Sequence, residues 1–138
     1  MMRLEHDPEA LPGLALMRLA FRPPLEPEDA GRYLAALERV GAQDTPFLLM
    51  LDLAGAGVPP QAVRLEQAGW IKQNRARLRR NLRALAVVMR HPTPRARQSF
   101  ERLFGVPVLV TDQSKDARPF LLAEGVRAAG GGAEVQAS

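Results

Sequence analysis

Two apolar runs flank a long helical pattern in the middle of the chain. Residues 47–53 and 85–89 are almost uniformly apolar, and Val63, Ile71 and Leu78 between them keep helical spacing. Strand, helix and strand in this order form the pattern of a β-α-β unit. Because neither apolar run alternates with polar residues, we expect both strands to be buried on both faces, inside a sheet covered by helices.

The segments on either side of this unit predict further strands and helices. We expect strands at 3–6, 14–22 and 106–110, and helices at 26–41, 59–81, 94–104 and 115–128. The resulting order, β-β-α-β-α-β-α-β-α, predicts an α/β fold with a single mixed sheet of four to five strands and helices packed on it. Residues 1–129 are expected to form one domain, and the glycine-rich residues 130–138 a flexible tail.

The composition is that of an ordinary globular protein. A chain of 138 residues with 46% hydrophobic residues is long enough for one domain with a sizeable core. It contains no cysteine, which excludes disulfides and thiolate chemistry. The first residues lack the apolar core of a signal peptide, and no apolar run approaches the roughly 20 residues of a membrane span. We therefore expect a soluble, cytoplasmic protein without an integral membrane segment.

Positive charge is concentrated in one part of the chain. Residues 64–102 contain eleven basic and two acidic residues, whereas residues 1–63 contain five basic and nine acidic ones. Cationic side chains follow one another at three- and four-residue steps along the long predicted helix and continue into the next one. They are Lys72, Arg75, Arg79, Arg83, Arg95 and Arg97. This surface is either a solubilising face or the binding site of a partner.

Asp52 interrupts the first apolar run near its carboxyl end, where open α/β sheets tend to place binding sites. As a functional group it would act as a metal ligand, a general base or a switch residue. As a structural group it would accept backbone N–H bonds from the turn Ala54-Gly55-Ala56-Gly57. That turn has neither the spacing nor the Gly-Lys-Ser/Thr ending of a phosphate-binding loop. Both interpretations of Asp52 therefore stay open.

Trp70 is the single tryptophan of the chain, and it lies on the apolar side of the long predicted helix. It is either a core anchor or a platform on which a ligand stacks. If the ring belongs to the core, Trp70→Ala should destabilise the fold by roughly 3–5 kcal/mol.

Few residues are suited to catalysis or to metal binding. His6 and His91 are the two histidines; His91 has no carboxylate near it in sequence to orient it as a general base, and two histidines make a poor metal site. No serine occupies a Gly-x-Ser-x-Gly elbow, and no Gly-x-Gly-x-x-Gly follows a strand. We therefore expect no catalytic residues, no metal and no cofactor, and a protein that is not an enzyme.

Part of the chain resembles a known family. The segment Leu51-Asp52-Leu53-Ala54-Gly55 resembles the Leu-Asp-Leu-Ser-Gly strand end of STAS domains, the fold of anti-sigma-factor antagonists. The long helix with its tryptophan and the segment 104–108 before the last helix resemble the bacterial SpoIIAA-like group of that family. The similarity covers roughly residues 2–128. It implies a STAS-like fold and a non-catalytic regulatory domain that acts by binding another protein or by self-association.

One departure from the STAS pattern concerns the regulatory loop. In STAS antagonists a serine in the loop after the strand is phosphorylated by a partner kinase, whereas residues 57–61 contain no hydroxyl side chain. The equivalent loop here carries Asp52, Gly55, Gly57 and Gln61. The resemblance therefore implies a STAS-like domain without the phosphorylation switch.

Three functional classes are compatible with these observations. The first is a protein-protein interaction module of STAS type, with a partner protein or a second copy of the chain. The second is an anion-binding protein whose basic region contacts nucleic acid or an acidic lipid surface. The third is a carrier of a small apolar ligand.

Overall fold

One five-stranded sheet carries the fold. The computed structural model describes residues 2–21, 26–54 and 61–137, with the side chains of 63, 64 and 129–137 left out. Its elements are β1 Met2–Leu11, β2 Leu14–Phe21, α1 Asp29–Gly41, β3 Phe47–Asp52, α2 Gln61–Asn81, β4 Leu82–Val88, α3 Pro94–Phe104, β5 Val108–Thr111 and α4 Ser114–Ala137. This order confirms the predicted α/β fold with one mixed sheet.

The strands lie side by side in the order in which the chain forms them. β1 pairs antiparallel with β2 through the turn at Gly13, whose φ is 70°. β2, β3, β4 and β5 are parallel neighbours. Helices α1, α2 and α3 each make one of the three crossovers between them. Because such crossovers have the same hand and all advance in one direction, they place the three helices on the same face of the sheet.

The face covered by α1, α2 and α3 holds the larger apolar cluster. Alternate residues of β2, β3 and β4 point into it. The ring of Phe21 packs against Tyr33 of α1 with 5.2 Å between ring centroids. The most deeply buried members include Met17, Leu19, Val40, Phe47, Leu49, Leu78, Leu82, Leu85 and Val87.

Among the described elements, α4 alone covers the opposite face. Ala117 and Leu121 of this helix are fully buried against the other set of alternating strand residues. On β4 these residues include Ala84 and Ala86, whose short side chains let the helix approach the sheet. A Cβ atom on Gly125 would lie 2.8 Å from a methyl group of Leu11, so the glycine permits close contact with the β1–β2 turn.

The helix ends follow from their local sequences. Thr93 has an extended backbone, and its hydroxyl accepts a hydrogen bond from the Ala96 N–H at 3.0 Å, which caps α3. Pro94 occupies the first turn, where its missing N–H costs nothing. Gly105 ends the helix in the left-handed conformation with φ 66°.

Several element bounds differ from their predictions. β1 extends to Leu11, and β4 begins at Leu82 because that residue pairs with Phe47. Helix α4 continues to Ala137, beyond the predicted end near residue 128. Pro119 lies inside this helix. The flexibility of residues 130–138 stays a prediction.

Candidate interaction surface

Helix α2 lies between α1 and α3, and its side toward α1 packs closely. A Cβ atom on Gly41 would lie 2.9 Å from Asn74 Oδ1 and 3.1 Å from Trp70 Nε1. Residue 41 ends α1 without a positive φ, so the glycine is explained by this close approach rather than by a left-handed turn.

Polar side chains of α2 also satisfy carbonyl groups at the end of α1. Arg77 Nη1 donates to the carbonyl oxygen of Gly41 at 2.8 Å, and Asn81 Nδ2 donates to that of Gln43 at 3.0 Å. The last carbonyl groups of a helix lack partners within the helix, so these bonds stabilise its terminus. Neither contact was predictable from the sequence, because both depend on how α1 packs against α2.

The other side of α2 carries three cations and faces α3. A Cβ atom on Gly105 would lie 3.3 Å from Arg79 Nε, which places that guanidinium at the C-terminus of α3. Lys72 and Arg75 precede Arg79 by seven and four residues, so they share its side of the helix. All three side chains are exposed, and among the described residues none forms an ion pair with a carboxylate. We call Lys72, Arg75 and Arg79 the basic stripe.

The other predicted cations lie around the stripe in different settings. Arg83 belongs to β4 rather than to α2, because the helix ends at Asn81, and its guanidinium donates to the Arg80 carbonyl oxygen at 2.6 Å. Arg95 is exposed on α3. Arg97, also exposed on α3, pairs with Glu101 at 3.3 Å, which offsets its charge. The placement of Arg83 on the helix was therefore wrong, while a binding role for these residues stays a prediction.

Asp52 is occupied by structural contacts. Its Oδ1 accepts the Ala54 N–H at 3.3 Å, as the structural interpretation predicted. Its Oδ2 accepts a hydrogen bond from Arg18 Nη2 at 2.8 Å, forming an ion pair in which both side chains are mostly buried. Arg18 also contacts Glu5 at 3.4 Å. The sequence did not predict these partners, which come from β2 and β1.

In the described part of the chain, the strand order provides no ligand crevice beside Asp52. Ligand crevices at the carboxyl ends of parallel strands occur where the strand order reverses, and β2 to β5 stay in chain order. The turn after β3 is held by Arg90 Nε, which donates to the Ala54 carbonyl oxygen at 2.8 Å. Gly55 and Gly57 lie outside the described residues, and Gln61 is the exposed first residue of α2.

Trp70 is half-buried at the junction of α1 and α2, so it is neither a full core residue nor a free platform. Part of its ring packs against the larger apolar cluster, and part lines an open groove of about 300 Å³. The other lining residues are Leu34, Glu38, Glu66, Gly69 and Gln73.

Among the described residues, the pKa values of Asp29 and Tyr33 are shifted. Backbone hydrogen bonds, above all from the Glu26 N–H, lower the pKa of Asp29 to about 2 against the opposing effect of burial. Burial raises the pKa of Tyr33 to about 12. Both groups stabilise the region where α1 meets β1 and β2.

The remaining candidate groups do not assemble into a second site. His6 and His91 are both exposed. Within the described ranges, no three His, Asp or Glu side chains are grouped as metal ligands would be. None of the helices in the described part of the chain is both long and apolar enough to span a bilayer.

Comparison with protein-family models, with curated proteins and with solved structures finds no match to this chain.

Proposed function

We propose that this protein is a non-catalytic interaction module that binds a partner protein through the basic stripe. The observation that carries the proposal is the set of exposed cations at Lys72, Arg75 and Arg79, which find no carboxylate among the described residues. The complementary partner surface is acidic, since opposite potentials across an interface speed association and select the partner.

The setting of the stripe supports a protein partner. It lies on a helix that is fixed on both sides, by hydrogen bonds to the end of α1 and by the contact with Gly105 of α3. A rigid helix face loses little conformational freedom on binding. The sequence resemblance to STAS domains, a family of binding modules, supports the same proposal, as does the engagement of Asp52 in structural contacts.

A charge-reversal pair tests this proposal. Arg75→Glu/Arg79→Glu should stay folded, with a slightly lowered melting temperature because residue 79 lies at the C-terminus of α3, and should lose the partner in co-purification followed by mass spectrometry. The matched control is Arg39→Glu/Lys115→Glu, which makes the same change in net charge at exposed residues of α1 and α4. We expect the control to retain the partner. Equal retention of the partner by both variants would contradict the proposal.

Nucleic acid or an acidic lipid surface is the second candidate, because unpaired cations attract any polyanion. One observation weighs against nucleic acid. Trp70 lies on the α1 side of α2, opposite the basic stripe, so it offers no stacking surface beside the cations. Binding to phosphates should weaken steeply between about 50 and 200 mM salt. A gel shift or vesicle binding with that salt dependence, lost in Arg75→Glu/Arg79→Glu, would favour this candidate over a protein.

The carrier of a small apolar ligand receives the least support. The groove beside Trp70 has about 300 Å³, at the lower limit for ligand pockets, and it is open to solvent. Two of its lining residues are carboxylates. Native mass spectrometry of freshly purified protein decides the matter, since a carrier should retain a bound mass.

A further inference from the structure

The N-terminal part of the side of α2 that faces α1 has a chemistry opposite to that of the basic stripe, whereas Arg77, farther along this side, donates to the end of α1. Its groove is bordered by Glu38 of α1 and Glu66 of α2, with the indole ring of Trp70 between the helices. Both carboxylates are exposed, and neither pairs with a cation among the described residues. Leu34 adds an apolar wall. An aromatic face beside two free carboxylates suits a cation.

We propose that this groove binds one arginine side chain of a partner protein. A guanidinium group is planar, stacks on an indole face and donates several hydrogen bonds at once. Stacked on Trp70, it would have Glu38 and Glu66 as acceptors, while its methylene stem would pack against Leu34. A lysine ammonium would supply the charge but not the planar stacking. The volume of about 300 Å³ suits a single long side chain better than a larger ligand.

The groove exists before any ligand binds. Trp70 Nε1 lies 3.1 Å from the position a Cβ atom on Gly41 would take, so the end of α1 holds the indole in place. No side chain atom would meet a Cβ atom on Gly69, so this wall of the groove leaves room for a ligand. A pre-formed site loses less entropy on binding than one that must first order its side chains. The proposal shares no residue with the basic stripe and does not rest on it.

The test uses the fluorescence of Trp70, the single tryptophan of the chain. The probe is a short peptide with blocked termini whose single charged residue is an arginine, and its control is the same peptide with citrulline, a neutral isostere of arginine. At low salt we expect the arginine peptide to cause a saturable change and the citrulline peptide to cause none. Glu38→Gln and Glu66→Gln should each weaken binding roughly two- to fivefold, as exposed ion pairs do. The matched control Glu28→Gln, an exposed residue before α1, should leave binding unchanged.

Three results would overturn the proposal: no fluorescence change with the arginine peptide, the same change with citrulline, or unweakened binding by Glu38→Gln/Glu66→Gln. Arg75→Glu/Arg79→Glu separates this site from the proposed function. That variant should not weaken the arginine response, even though we expect it to lose the acidic partner. A weakened response would show that the basic stripe also contributes to peptide binding, and it would contradict the proposal that the groove is a separate site.

Discussion

Asp29 connects the first strand of the chain to the N-terminus of α1. Its carboxylate accepts the Glu26 N–H at 2.8 Å and the Met2 N–H at 3.1 Å, and it pairs with Arg32 at 3.2 Å. These bonds fix the first strand to the N-terminus of α1, where a negative charge is also favoured by the helix dipole. The residue is almost fully buried, which is uncommon for a carboxylate unless it is paired, as Asp29 is.

The lowered pKa of Asp29 predicts a loss of stability in acid. Its pKa is about 2 in the folded protein against an ordinary 3.8, so the folded state favours the charged form. The stabilisation is complete above the unfolded value and is lost as the pH falls through the folded value. Urea unfolding of the native protein and of Asp29→Asn should therefore differ in free energy at neutral pH and converge near pH 2. A constant difference across that range would contradict the assignment.

Gly41 and Gly31 lie in the same helix, and we expect their replacement by alanine to change the stability of the protein in opposite directions. A Cβ atom on Gly41 would lie 2.9 Å from Asn74 Oδ1, so Gly41→Ala must displace α2 or its side chains, which we expect to cost about 1–3 kcal/mol. Nothing lies within 4 Å of a Cβ atom on Gly31, which is exposed in α1. Gly31→Ala should stabilise the protein by up to about 1 kcal/mol, since alanine is the better helix former.

Thermal and urea unfolding of both alanine variants checks the pair. Equal stability of the two variants would contradict the close packing of α1 against α2 at Gly41.

At the scale of elements, α2 is the helix whose surroundings the sequence predicted least well. Its position between two strands followed from the apolar runs, and its end at Asn81 was predicted correctly. Which neighbouring helix packs against each of its sides was not predictable, because that depends on where the crossovers place α1 and α3. Arg83 continued the helical spacing of the cations, yet sheet pairing of Leu82 with Phe47 places it in β4.

The half-burial of Trp70 lowers the expected cost of its removal. We expect Trp70→Ala to destabilise the fold by about 1–3 kcal/mol, less than the loss for a ring fully in the core. Leu78→Ala, at a position of the same helix that is only 2% exposed, is the matched core variant and should cost about 2–5 kcal/mol. Urea unfolding of both variants makes the comparison. A greater loss for the tryptophan variant would show that its ring contributes more to the core than its half-buried position indicates.

At the scale of the whole molecule, the element order and the central strands were predictable from local pattern. β3 and β4 are buried on both faces, as their lack of alternation indicated. The ion pair between Arg18 and Asp52 was not predictable, because it depends on the parallel register that aligns Ala20 with Asp52. Likewise, the separation of a basic stripe from an acidic groove depends on which helix packs against each side of α2.

The charges of the molecule are therefore arranged by helix packing as well as by sequence. The concentration of cations in residues 64–102 was visible from composition, and much of it lies on α2 and α3. The carboxylates of Glu38 and Glu66 are brought to a single groove only because α1 and α2 are adjacent. One helix consequently separates two surfaces of opposite charge, each with its own proposed partner chemistry.

The single helix over the second face has a consequence for biosynthesis. The strands are neighbours in space in the order of their synthesis, so most pairings can form as the chain leaves the ribosome. The face formed by Leu14, Leu16, Leu48 and Met50, by contrast, is covered only by α4, the last element described. A nascent chain that has completed its strands therefore still exposes this apolar face. We expect chains arrested before α4 to aggregate or to engage chaperones.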